Sequence, residues 1–302
     1  MKKTLLAGSA VAAMAFGLAG AAHAEDTLKK IKDSGSVTMG VRESSGALAF
    51  TLGDGKYTGF HYDVCQRVLA DIQKQLGMAK LDIKYQPVTS QNRVPLVQNG
   101  TVDIECGSTT NNTARQKDVA FAPALYVEEV RIAAKANSGI TGIAQLNGKT
   151  VATTTGTTSV QLLRKNKRAA GMDFKELNGK DHSDSFLLLE SGRADAFVMD
   201  GQILAGLISK AKNPADFKIV GEALSVEPIA IMYRKDDPAF KKAVDDSVRA
   251  IAKSGEAAKL YDKWFIQAIP PANTKVGLAA SDATKAAWAN PSDKPLEDYA
   301  QP

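Results

Sequence analysis

Residues 90–108 and 182–200 are two versions of one unit, and that echo constrains the fold more than any other feature of the chain. "SQNRVPLVQNGTVDIECGS" and "HSDSFLLLESGRADAFVMD" each begin polar, continue as an apolar helix, stop at a glycine, and finish as a strand ending on a polar residue. Gly100 and Gly192, Asp103 and Asp195, and Ser108 and Asp200 are each 92 positions apart. A helix–Gly–strand unit is common among α/β proteins, but matched lengths over the whole stretch favour two similar lobes.

The same grammar extends beyond the repeat. "VTMGVR" (37–42) and "KLDIKYQPV" (80–88) are strands, and "FHYDVCQRVLADIQKQLG" (60–77) is an amphipathic helix closed by Gly77. Farther on come the strand "KTVATTTG", the helix "SVQLLRKNKRA", the strand "ADAFVMD" and the helix "GQILAGLISKA". Strands alternating with helices predict an α/β fold with mostly parallel sheets. Such sheets take ligands beyond the carboxyl ends of their strands. Two facing lobes would put those ends on opposite walls of one cleft, which makes wall residues of Ser90 with His182 and of Ser108 with Asp200.

The first 24 residues are not fold. Lys2 and Lys3 precede "LLAGSAVAAMAFGLAGAA", and "AHA" at 22–24 is a small-x-small site, so a secretory signal peptide cut between Ala24 and Glu25 is expected. The absence of a cysteine at the cut argues against a lipid anchor, and nothing later is apolar for long enough to span a bilayer. The remaining 25–302 suit two domains of ordinary size or one large one. The balance of 38 basic to 33 acidic residues is mild and unclustered, which argues against nucleic acid as a partner. In an exported chain Cys65 and Cys106 can form a disulfide or stay as two buried thiols.

Polar positions suggest what the cleft holds. Thr113 and Gln116 make a T-x-x-Q capping box, which predicts a helix starting at 113. Arg115 would then sit in its first turn, against the favoured sense of the helix dipole, as suits a neighbouring anion gripped by a planar guanidinium. "TTGTTS" (154–159) lies between a strand and a helix, so the N–H groups after Gly156 offer a second anion site. Asp200 is either the cap of "GQILAGL" or a partner for an ammonium group. An anion site opposite a carboxylate describes a receptor for a zwitterion, and an α-amino acid fits.

Other features carry less. "GIAQLNGKT" (142–150) has five residues between its glycines where a phosphate loop needs four, and it precedes its strand. His61 and His182 show no metal-ligand spacing, and neither a nucleophile elbow nor a cofactor motif is present. The tail from Pro270 reads as a surface-wrapping segment with one short helix near Trp288.

The stretches "VRESSG", "TSQNRVPLVQNGTVDIECGSTTNNTARQK", "TTGTTS", "KDHSDSFLLLESGRADAFVMD" and "SGEAAKLYDKWFIQAIPP" resemble the periplasmic glutamate/aspartate-binding proteins of amino-acid ABC importers, over nearly the whole mature chain. The resemblance implies a two-lobed periplasmic-binding-protein fold of type II with two crossover hinge strands, near 126–131 and 224–230. Lobe one would hold 25–127 and 226–302, and lobe two 128–225. By position, Arg115 and the backbone of Thr158 would clamp the ligand α-carboxylate. Asp200, with Ser108 and Thr110, would receive the α-ammonium. Arg42, Arg93 and His182 would face the side-chain end, with Ser90 nearby. The chain departs from the wider family in "GFHYDVC", where Asp63 stands without a second acid and Cys65 is unusual.

The resemblance implies a monomeric receptor, without cofactor or catalysis, that binds L-glutamate or L-aspartate in the periplasm and hands it to an inner-membrane permease. Guanidinium charge beyond the one group needed for the α-carboxylate favours a second carboxylate on the ligand, because a buried cation without a partner is costly. The alternative on the same scaffold is a periplasmic cyclohexadienyl or arogenate-type dehydratase, for which His182 is the one plausible proton donor.

Overall fold

The computed structural model describes residues 26–302, so the leader assigned to 1–24 lies outside the described residues. Two five-stranded sheets organise the chain. In the first, the strands run Asp82–Pro87, Ser36–Val41, Ile104–Glu105, Met232–Arg234 and Val119–Phe121 across the sheet. In the second the order is Lys175–Gly179, Thr150–Thr154, Ala196–Asp200, Tyr126–Lys135 and Phe217–Ile229.

The internal repeat extends to individual hydrogen bonds. Asp103 donates its N–H to Thr38 O and takes the Thr38 N–H on its carboxylate; Asp195 makes the same reciprocal pair with Thr150. Gly100 and Gly192 both turn the chain at positive φ, 76° and 75°, where a side chain would be strained. Just beyond them Val102 N–H reaches Leu96 O, and Ala194 N–H reaches Leu188 O. Each unit thus ends its helix and starts its strand by one local solution.

Alternation then decides which side chains enter which core. Along the second sheet Val130, Ile132, Ala134, Ala196 and Val198 join one cluster, while Ala133, Phe197 and Met199 join the cluster on the opposite face. In the first sheet Tyr233 faces one side and Met232 the other. Burying each large apolar side chain contributes about 1.5–3 kcal/mol, so shifting either sheet by one residue would invert this pattern at high cost.

The expectation of mostly parallel sheets needs correction. Met232–Arg234 runs antiparallel to both of its neighbours, and so does Tyr126–Lys135. The reason is connectivity: Tyr126–Lys135 brings the chain into the second sheet and Met232–Arg234 follows the returning strand Phe217–Ile229 into the first, so both run against the local βα units. Tyr126–Lys135 and Phe217–Ile229 pair along their length, with an irregularity between Val220 and Ser225. Together they form the two crossover hinge strands.

Cys65 and Cys106 are joined by a disulfide. It ties the helix Phe60–Gln75 to the end of the strand Ile104–Glu105, immediately before the polar loop. The helix Asp282–Ala289 carries Trp288, whose indole donates to Leu125 O at the start of the first crossing.

Candidate functional site

Between the sheets lies a small cavity of about 10 Å³, walled by residues from both lobes. The first lobe contributes Ser90, Arg93, Ser108 and Thr110. The second contributes Thr157, Thr158, His182, Met199 and Asp200. Seven of the positions singled out in the sequence therefore meet at one place, and none of the lining residues is more than 8 % exposed.

Arg93 sits in the first turn of the short helix Arg93–Gln98 and points its guanidinium inward. Its Nε and Nη1 are buried without a hydrogen-bond partner among the described residues, as is Ser90 Oγ. Burial, with Arg115 and Arg42 nearby, pushes its pKa well below the usual guanidinium value, against the pull of Glu105 and Asp200. These donors are buried, and each such group costs about 1–3 kcal/mol until an acceptor reaches it.

Arg42 does not line the space but stands behind it. Its Nη2 donates to Asp181 across the lobes at 2.7 Å and to His182 Nε2 at 3.2 Å, while Nε and Nη1 have no partner. A guanidinium only donates, so His182 Nε2 accepts and the ring is neutral. Its Nδ1–H then donates to Thr154 Oγ1 at 3.0 Å, which passes the chain to Ser185 and on to Thr153 O. Burial and then Arg42 push the His182 pKa down to about 3, with Asp181 opposing and Arg93 reinforcing. A neutral imidazole committed to Arg42 cannot supply a proton at neutral pH, and the dehydratase reading loses its acid.

Arg115 also stands outside the lining. Its Nη1 donates to Thr110 O at 2.8 Å and its Nη2 to Gly156 O at 3.2 Å, so it stitches the two lobes together through backbone carbonyls. Burial lowers its pKa, and Glu227, Glu105 and Asp200 oppose that. The helix Thr113–Gln116 starts where expected, but the capping box needs correction. Asn112 is the cap and accepts from Arg115 N–H, whereas Gln116 turns to Asn111 and Thr113 to Glu297. In "NNT" the amide precedes the hydroxyl by one position and caps at least as well.

On the opposite wall the helix Thr158–Ala170 begins without a side-chain cap, since the Thr157 hydroxyl turns back to Thr154 O. Thr157 and Thr158 at its start line the space, and a helix N-terminus is the favourable end for an anion. Asp200 likewise caps nothing with its side chain, which leaves the carboxyl to the cavity. Burial and then Glu227 push its pKa up to about 7, against Arg93, Arg115 and Arg42. Ser108 donates to Ser45 at 2.9 Å.

Two residues that organise the site escaped notice in the sequence. Asp181 pairs with Arg42 and also accepts from Ser44 Oγ at 2.7 Å. Its own signal was local: Asp181 and Asp184 form a capping box ahead of an apolar helix. Glu227 takes hydroxyl hydrogens from both Thr110 and Thr158 on one oxygen, at 2.7 and 2.8 Å. A lone acid inside the apolar run "SVEPIAIMY" was the available clue. Among the described residues no cluster of three or more His, Cys, Asp or Glu could hold a metal ion, and no helix is long and apolar enough to cross a membrane.

Known proteins share both sequence and architecture with this chain. A glutamate/aspartate import solute-binding protein of Escherichia coli is 43% identical over 295 residues, covering 95% of this chain and 97% of that protein. An L-glutamate/L-aspartate-binding protein of Pseudomonas aeruginosa is 43% identical over 296 residues, with 97% and 98% covered. Among solved structures, a mutant of ArgBP from T. maritima superposes with a TM-score of 0.69 at 27% identity, over 78% of this chain and 98% of that one. A solute receptor for L-cysteine of Neisseria gonorrhoeae also gives 0.69, at 25% identity over 79% and 93%. The family description of bacterial extracellular solute-binding proteins, family 3, matches residues 37–267. With its paired lobes, crossing strands and walled polar space, the chain belongs to the bacterial extracellular solute-binding proteins of family 3.

Proposed function

We propose that the chain is a periplasmic receptor that captures L-glutamate or L-aspartate and delivers it to the permease of an ABC importer. The observation that carries this reading is the polarity of the walled space. Unpartnered guanidinium nitrogens of Arg93 and the hydroxyl of Ser90 line it, with the unpartnered nitrogens of Arg42 behind them, and the Asp200 carboxyl lines it too. The relatives' names point the same way.

In this reading the helix start at Thr158, with Arg115 beside it, takes the α-carboxylate. Asp200, Ser108 and Thr110 take the ammonium. Arg93, Arg42 and Ser90 take the side-chain carboxylate, and His182 acts on that end through Arg42. Asp181 already offsets part of the Arg42 charge, so the preference for a second carboxylate rests chiefly on the unpaired N–H groups. A neutral amide leaves some of those donors facing its own NH2, which costs about 1–3 kcal/mol.

Because every wall residue is buried, the ligand enters only when the lobes part. Closure follows because the ligand touches both walls and so binds the closed state better. The lobes divide at 127/128 and 225/226, within the paired crossing strands. The receptor is monomeric and reaches the periplasm through a leader cut after Ala24.

Calorimetry of the mature chain with glutamate, aspartate, glutamine and asparagine tests the reading. The acidic pair is expected to bind near micromolar, roughly −8 kcal/mol, with each amide weaker by about tenfold or more. Glutamine binding as tightly as glutamate would overturn the assignment of Arg93 and Arg42.

A further inference from the structure

Glu227 belongs to neither lobe's wall; it lies on the second crossing strand, between the two. Its Oε2 receives the Thr110 hydroxyl from the first lobe and the Thr158 hydroxyl from the second, both fully inside the protein. A threonine hydroxyl has one hydrogen to give and two lone pairs to offer. Once the hydrogen is committed to Glu227, the hydroxyl can only accept. Both rotors, which would otherwise turn to suit whatever arrives, are thereby fixed in one sense.

We infer that Glu227 is a positioning residue that sets the Thr110 and Thr158 hydroxyls as acceptors, so that the two lobes jointly select an ammonium-bearing ligand. The inference rests on the amino-acid reading of the site. It adds that recognition of the amine is arranged from the hinge, through the hydroxyls that Glu227 orients. Asp200 supplies the opposite charge, whereas the oriented hydroxyls supply direction. A ligand with the same two carboxylates but no amine meets lone pairs where it has nothing to donate, and closure loses contacts on both sides.

The test compares glutamate with glutarate, which keeps the carbon chain and both carboxylates and lacks the amine. Calorimetry is run on the mature chain, on Glu227→Met, which removes the acceptor at similar size, on Thr158→Val and on the double variant. In the unaltered protein glutamate is expected to bind at least about 100-fold more tightly than glutarate. Glu227→Met should reduce that ratio about tenfold or more, with glutamate weakened and glutarate changed less than about twofold. Thr158→Val keeps the backbone N–H and should lower the ratio in the same direction. The double variant should be no worse than Thr158→Val by more than about twofold, because Glu227 acts through the hydroxyl.

Equal weakening of both ligands by Glu227→Met, or additive losses in the double variant, would overturn the inference and make Glu227 a structural acid. Should Glu227→Met not fold, the Thr158→Val ratio alone decides, and an unchanged ratio there counts against it. If the unaltered chain binds neither glutamate nor aspartate, the acidic amino-acid reading fails first and takes this inference with it.

Discussion

Glu227 stands directly opposite Glu128 in the ladder that joins the two crossing strands. Both are almost completely buried, at 1 % and 2 % exposure. Like charges facing each other across a ladder repel, and an unmatched buried carboxylate is expensive. The conflict is relieved at Glu128. Burial and then Asp200 push its carboxyl well above the usual range, with Glu227 adding to the shift and backbone N–H groups of Glu129 and Gln202 opposing it. The Glu128 carboxyl is thereby biased toward its neutral form, while Glu227 accepts the two threonine hydroxyls.

If Asp200, the third acid of this group, takes the ligand ammonium as proposed, ligand binding should depend on pH. With its pKa raised to about 7, it is half-protonated where the receptor works, whereas pairing with an ammonium requires the carboxylate. Binding is expected to release a proton and to weaken as pH falls below about 7, approaching tenfold per unit. Calorimetry in buffers of different ionisation enthalpy, at about pH 6 and about pH 8, reads both. The same shift has an opposite effect on the ligand-free fold. A raised folded pKa contributes stability below the ordinary value of 3.8 that is lost as pH rises through about 7. Asp200→Asn should thus be more heat-stable than the unaltered protein at about pH 8, with the gap closing toward about pH 5. His182 acts in the other sense, its contribution present above 6.5 and lost as pH falls toward about 3. Comparing the Asn variant with its parent cancels that second effect.

At Gly156 the two lobes approach each other closely through backbone. It has φ +82, and a Cβ there would meet Gln91 N and Cα and Ser90 O, all at 2.7 Å. Those atoms belong to the opposite wall. Gly156→Ala should leave both lobes folded, at a local strain of about 1–2 kcal/mol. Because the clash arises only when the lobes meet, binding of glutamate should weaken about tenfold or more. An unchanged affinity would mean that the bound state tolerates a wider gap.

The repeated framework was legible because local physics builds it. Gly100 and Gly192, like Asp103 and Asp195, act within their own units, so matching letters gave matching hydrogen bonds. Most of the wall was legible by resemblance for a similar reason, since Ser90 with His182 and Ser108 with Asp200 occupy equivalent ends. What stayed hidden is joined over long distances in the chain. Arg42 and Asp181 are 139 residues apart, and Thr110 and Glu227 are 117 apart. Their meeting depends on how the crossing strands set the lobes, which no local pattern encodes. The misplaced cap at Thr113 is a subtler case, in which Asn112 and Thr113 are both good caps and the backbone chose the first.

The disulfide should matter for stability more than for binding. It closes a loop with a sequence separation of 41, for which loop entropy gives about 4 kcal/mol. It holds the helix Phe60–Gln75 at the root of the polar loop, where His61 Nδ1 also donates to Gly107 O at 2.6 Å. Urea unfolding with and without a reductant is expected to show a loss of about 3–4 kcal/mol, while glutamate affinity at low denaturant changes less than about threefold. A loss below about 1 kcal/mol would show that the unfolded chain is already restricted there.

The C-terminal segment ties the hinge to the loop that carries Arg115. Gln301 uses its side-chain amide as a strand would, accepting from Val226 N–H and donating to Val226 O, both at 3.0 Å. This covers the free edge of Phe217–Ile229, the outermost strand of its sheet. Earlier in the same segment Glu297 accepts the Thr113 N–H and hydroxyl, and Leu296 N–H reaches Asn111 O. Each bond contributes only about 1 kcal/mol, but they join the edge of the moving strand to the start of the loop. Removing 294–302 should therefore speed amide exchange at 110–116 and 224–228 and weaken glutamate binding about tenfold, leaving exchange in the helix Phe60–Gln75 unchanged. If only the hinge strand became labile and affinity held, the segment would be an edge cover; if both changed together, it couples hinge and loop.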